Sequence, residues 1–255
     1  MSHTTRQTAA RSFRVAIVGA AVASAIIAPT ALATQVGIRI EGPTVNVLPT
    51  TAVDVPGAAL KAFTYAPKKS VKAPGDSVFA VLIQATAAAK VPVKWTYYPS
   101  FKAVYVSSIG KIGPKGTKGW NFRLNGVASM SGANALRMPA GAVALWYWGT
   151  GKESALRITN PADGTEAWSA SPMGIPAAGQ PLVIKVSSVS TKGAATPAVG
   201  ASITYGTATA TTGADGTATV TTGAPGTPIG ATMAGAIRGW SMTCPVAGVN
   251  PCPAQ

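Results

Sequence analysis

The sequence predicts a mainly β protein with one helix, built as two modules, on three observations. Gly (28) and Pro (20) are frequent among 255 residues while charged residues are sparse, the composition of β-rich secreted modules. Apolar residues recur at every second place in most segments, and at helical spacing in one. Charge also changes abruptly near Lys152. Residues 34–152 hold 14 Lys or Arg against Glu41, Asp54 and Asp76, a net of +11, whereas residues 153–255 sum to zero.

Before the first module, Arg6, Arg11 and Arg14 precede an apolar run of 14 residues, 15–28, and the small-x-small site Ala31-Leu32-Ala33. This order predicts a secretory signal peptide over residues 1–33, too short to be a comfortable bilayer span, leaving a secreted or cell-surface chain from Thr34. No later segment reaches the length of a transmembrane helix. The only histidine, His3, leaves with the signal, which excludes histidine-dependent nucleophilic catalysis and histidine-ligated zinc from the rest. The seven carboxylates are scattered, and no phosphate-cradling or nucleophile-elbow motif occurs. The sequence therefore predicts no enzyme, no metal site and no cofactor.

In the first module, residues 34–150, VGIRIEG and TAVDVPG read as strands. In PGDSVFAVLIQATAAAK, Asp76 or Ser77 can cap a helix that places Phe79, Leu82 and Ile83 on one face. The period then returns to two in VPVKWTYY, AVYVSSIG, GWNFRLNG and GAVALWYWG. Strands, one helix and further strands make a β-grasp-like plan, with the helix across a mixed or antiparallel sheet. Trp120, Phe122 and Leu124 should meet the helix, Asn121 and Arg123 should face away, and Asn125-Gly126 should turn the chain.

YVSSIG (105–110), GWNFRLNG (119–126) and PAGAVALWYW (139–148) follow one another in an order that resembles the C-terminal β-domain of the transcobalamin and intrinsic-factor proteins. They resemble more closely its free-standing bacterial form, the DUF4430 family. The resemblance spans about 110 residues, Val36 to Gly149, and implies the fold more than a function. The usual Gly-Asp before the last strand is here Gly141-Ala142, and the helical partner domain of the vertebrate carriers has no counterpart, so cobalamin is not the expected ligand.

In the second module, residues 151–243, SALRIT and QPLVIKVSSVS read as strands. PAVGASITYG, TATTGADGTATV and GTPIGATMAGAIRGW resemble a bacterial Ig-like or transthyretin-like carboxypeptidase-regulatory domain, a small antiparallel β-sandwich. The resemblance implies a hairpin turn at Asp215-Gly216. In the tail, residues 244–255, Cys244 and Cys252 are an even pair in an exported chain and predict one disulfide.

Two features bear on binding. The basic first module should attract an anionic cell-envelope polymer; nucleic acid is not expected, since no binding module for it occurs. In the LWYW strand, Trp146 and Trp148 share one face, and Leu145 and Tyr147 share the other. One face should pack on the helix, leaving the other to solvent or a neighbour. With Asn121 and with Arg123, which could stack by a cation–π contact, Trp146, Tyr147 and Trp148 are the candidate contacts for a small aromatic or sugar-like ligand.

Overall fold

A computed structural model describes residues 34–161, 173–174, 179–223, 227–241 and 243–244. The expected signal peptide lies outside these residues, as do Asp163, Glu166 and Cys252, and with Cys252 the expected clasp to Cys244. The described residues from Thr34 onward belong to one compact unit.

The first half contains strands β1 (Thr34–Glu41), β2 (Asn46–Val55), β3 (Leu60–Ala66) and β4 (Lys69–Pro74), then helix α1 (Val78–Ala88). Strands β5 (Val93–Tyr98), β6 (Ala103–Ile109), β7 (Gly119–Leu124), β8 (Val127–Ala128) and β9 (Val143–Gly149) follow. The main sheet runs β2-β1-β9-β7-β8, with β1 and β9 parallel at its centre and antiparallel neighbours outside them. A right-handed crossover through a helix is the usual way to bring a late strand parallel to the first. β3–β4 and β5–β6 are separate hairpins.

Ser77, not Asp76, caps α1: its Oγ accepts from the Ala80 backbone N–H at 3.2 Å, while Asp76 turns to Arg137 at 2.6–3.0 Å. Phe79 and Leu82 are buried as the spacing predicts, but so are Val78, Val81 and Ala85, and Ile83 is only half-buried. The reason is that α1 is covered on more than one side. Val36, Ile38, Ile40 and Trp120 of the sheet belong to its core, and the hairpins add Phe63 and Trp95, whose rings lie 5.1 and 4.7 Å from Phe79. Phe122 and Leu124 pack against the same core, as expected. Asn125 and Gly126, at φ +49° and +83°, form the two-residue turn from β7 to β8. Little in the sequence signals the β3–β4 hairpin, because four lysines interrupt its alternation of Phe63, Tyr65, Val71 and Ala73.

The second half contains β10 (Ser154–Thr159), β11 (Met173–Gly174), β12 (Pro181–Val189), β13 (Ala195–Pro197), β14 (Ser202–Tyr205) and β15 (Ala208–Thr211). It continues with β16 (Thr217–Thr221), β17 (Ile229–Thr232), β18 (Ala236–Ile237), β19 (Gly239–Ser241) and β20 (Thr243–Cys244). One sheet runs β13-β12-β10-β18 with β16 also on β12; the other runs β15-β14-β17-β19. Leu156, Ile158, Ile184 and Val186 of the first meet Ile203, Tyr205, Ile229 and Ala231 of the second in one core. The result is a small sandwich.

The Asp215-Gly216 turn differs from expectation. It does not close a hairpin, because β15 pairs with β14 while β16 pairs with β12 in the other sheet. The turn instead carries the chain between sheets. Asp215 accepts from the Thr217 backbone N–H at 2.9 Å, and Gly216 has φ +78° with its α-carbon so near β12 that a Cβ would lie 2.5 Å from the Val186 carbonyl oxygen. Only glycine fits there.

Candidate functional site

Strand alternation gives the central sheet two faces of opposite chemistry. On the α1 side Ile40, Trp146 and Phe122 are in register, with the Phe122 and Trp146 rings 5.2 Å apart. Trp148 and Trp120 continue that face as a T-shaped pair at 5.8 Å. On the reverse face Arg39, Leu145 and Arg123 form one row, and Glu41, Tyr147 and Asn121 form the next.

That reverse face is covered by the second half of the chain. Leu145 and Tyr147 join Ala155 and Ile237 in a small apolar cluster. Arg123, wholly buried, donates from Nη1 to the carbonyls of Gly126 (3.3 Å), Val189 (3.1 Å) and Ser190 (3.1 Å), and from Nη2 to that of Glu153. Its guanidinium carbon lies 5.5 Å from the centre of the Tyr147 ring, the cation–π contact anticipated from sequence. Asn121 donates to the carbonyls of Gly119 and Gly149, each at 3.0 Å. Of the candidate ligand contacts, Asn121, Arg123 and Tyr147 share the reverse face while Trp146 and Trp148 lie on the α1 side; Trp146, Tyr147 and Arg123 are buried, and Asn121 and Trp148 half-buried. In place of an open aromatic shelf the structure has a seam, in which Asn121 and Arg123 hold the connection from β9 to β10.

Sequence reasoning missed the charged centre of this seam. Glu41 Oε1 accepts from Arg39 at 2.8 and 3.1 Å, and Oε2 accepts from Arg238 of the second half at 2.6 and 3.0 Å. Arg39 also donates to the Arg238 carbonyl, and Arg238 to that of Gly42. Arg39 and Glu41 are each 2% exposed. Burial pushes the Arg39 guanidinium pKa down, Glu41 opposes this by its charge and hydrogen bonds, and Arg238 adds to the lowering. The alternation of VGIRIEG predicts a half-buried strand, whereas both its faces are buried, because another module covers the polar one and the strand's own pattern cannot reveal that.

A cleft of about 90 Å³ opens along the seam between Glu41, Tyr147, Trp148, Glu153 and Arg238. Sites for drug-sized ligands occupy roughly 300–1,000 Å³, so this cleft has room for a few waters. Beside it, partial burial opposes ionisation of Glu153, but hydrogen bonds from Thr150 N (2.7 Å), Thr150 Oγ1 (2.9 Å) and Gly151 N (3.0 Å) outweigh it, and the pKa lies below the ordinary carboxyl value. A depressed folded-state pKa stabilises above the unfolded value and loses that contribution as pH falls through the folded one. The stability advantage of the native chain over Glu153→Gln should therefore shrink below about pH 4.3 in urea titrations.

The outer surface of the first half is the opposite of the seam. Its eleven lysines are all exposed, and the ion pairs formed between described residues use only arginines: Arg39 and Arg238 with Glu41, and Arg137 with Asp76. Arginine, with a planar fork of donors, suits buried recognition of carboxylates and carbonyls, whereas lysine keeps a strongly hydrated charge in solvent. Among the described residues no group of three or more His, Cys, Asp or Glu is placed to hold a metal ion, and no helix is long and apolar enough to cross a membrane.

These features define a mainly β protein: one helix on a mixed sheet, sealed on its reverse face by a small sandwich, with a lysine-covered exterior. Within it, residues 75–150, running from just before α1 to just after β9, match the DUF4430 family, described as a domain of unknown function. No curated protein matches the chain.

Proposed function

We propose that the protein is a secreted, non-enzymatic module that holds anionic polymer of the cell envelope on the lysine surface of its first half. The observation that carries this reading is the set of eleven exposed lysines, none of which pairs with a carboxylate among the described residues. Their field is uncompensated locally, because Glu41 and Asp76 are committed to arginines and only Asp54 stands exposed on that half. Such a surface concentrates polyanions within about a Debye length, on the order of 10 Å at 0.1 M salt.

The sandwich serves as a rigid backing and spacer, consistent with its near-neutral sequence and its Ig-like resemblance. A small-ligand carrier of the transcobalamin type has less support, since the aromatic residues that would form its shelf lie in the seam and core. The chain from Thr34 should be retained on an anionic cell-wall matrix at low salt and released at high salt. Passage through the column at low salt would sink the proposal.

A further inference from the structure

The β5–β6 hairpin pairs with no strand of the main sheet, and its turn, residues 99–102, is exposed throughout. Phe101 stands at this turn 78% exposed, followed by Lys102 at φ +50°. Tyr98 and Tyr105 are 46% and 43% exposed behind it, with ring centres 6.3 Å apart, and Tyr98 touches Phe101 edge-on at 6.5 Å. The tip is held in place from below. Buried Asn134 donates to the Lys102 carbonyl at 3.2 Å and accepts from the Val104 N–H at 2.9 Å. Gly132 of the same loop lies against Ala103, and two residues before it Met130 is fully exposed.

An exposed Phe is ordinary when it stands alone. Here a Phe projects from the tip of a fixed hairpin, two tyrosines lie behind it, and a lysine sits beside it. A small-molecule site would be concave, and sugar-stacking platforms present a ring face, whereas these rings meet edge-on at an exposed turn. An apolar tip backed by amphipathic tyrosines and cationic charge matches the layered chemistry of a bilayer surface: acyl chains, then the interfacial zone, then anionic headgroups.

We infer that the Tyr98–Tyr105 hairpin is a membrane-contact site that inserts Phe101 into the headgroup boundary of an anionic lipid bilayer, with Lys102 at the phosphates. Lys102 is the one residue shared with the lysine charge on which polymer binding rests; Phe101 has no part in that charge, so the two can fail independently.

The test is co-sedimentation of the chain from Thr34 with vesicles of equal phosphatidylglycerol and phosphatidylcholine, beside binding to soluble dextran sulfate. The native protein should sediment with these vesicles and much less with phosphatidylcholine alone. Phe101→Ser should weaken vesicle binding about tenfold or more, the scale of leaving one Phe side chain in water, with dextran sulfate binding unchanged. Phe101→Trp should restore it and be quenched by brominated lipid beyond the native tryptophans. Equal sedimentation of native and Phe101→Ser protein would overturn the inference. So would native protein that binds dextran sulfate but not vesicles, or a Phe101→Ser loss confined to cell-wall glycan. Binding to neither ligand would end both proposals.

Discussion

Glu41→Gln should be the most damaging single substitution in the protein, lowering stability by about 3–5 kcal/mol in urea unfolding followed by tryptophan fluorescence. Glu41 is the shared acceptor of Arg39 and Arg238, and it is 2% exposed. The neutral amide keeps the shape but leaves the Arg39 guanidinium buried without its counter-charge. Arg238 is less affected, because its side chain is 25% exposed and can turn to water. The cause can be separated from simple loss of contacts. In Arg39→Met/Glu41→Leu, where no fully buried charge is stranded and only the part-exposed Arg238 loses its partner, much of the lost stability should return, since well-packed apolar replacements of buried ion pairs are often neutral or better. A double variant as unstable as Glu41→Gln would show that the pair contributes more than mutual neutralisation.

Arg123→Met should follow, at about 2–4 kcal/mol, and should also change the form of the transition. Its guanidinium draws together carbonyls from the β7–β8 turn (Gly126), the connection (Glu153) and the end of β12 (Val189, Ser190). A thioether cannot donate, so several buried acceptors lose their partner, each costing roughly 1–3 kcal/mol less the relief of burying no charge. By calorimetry the native protein should unfold in one transition and Arg123→Met in two, the halves melting separately. Arg123→Lys should recover only a minor part, because one ammonium cannot span the four carbonyls. A single unshifted transition in Arg123→Met would remove the seam as the coupling element.

Much of the fold was legible because local signals agreed with it. The Ser77 cap, the apolar run behind it, the Asn125-Gly126 turn and the alternation of GWNFRLNG and VALWYWG each specify a backbone conformation independent of distant contacts. The opposite faces of Trp146 and Tyr147, and the stacking of Arg123 on an aromatic ring, followed from strand period alone. What covers a face is a property of the tertiary structure. Period two says that Arg39 and Glu41 leave the core side of β1, and polar residues on such a face ordinarily meet water; here Arg238, some 200 residues later, meets them instead. The same limit made three of the five candidate ligand contacts, Asn121, Arg123 and Tyr147, parts of a seam, while Trp146 and Trp148 pack on the helix side. Asp215-Gly216 shows it on a smaller scale: the residues specify a turn, but not that the strands it joins lie in different sheets.

The division of labour between arginine and lysine is most directly tested by measuring the affinity of three forms for dextran sulfate across a salt series. These are the native chain from Thr34, Lys68→Glu/Lys69→Glu/Lys72→Glu, and Arg137→Gln, whose arginine is already neutralised by Asp76. The lysine variant, which lowers the charge by six, should bind distinctly more weakly and with a shallower dependence on salt, while Arg137→Gln, which lowers it by one, should lose far less. Equal affinity of the native and lysine-reversed proteins, or a loss in Arg137→Gln as large as in the lysine variant, would contradict the assignment of binding to the unpaired lysines.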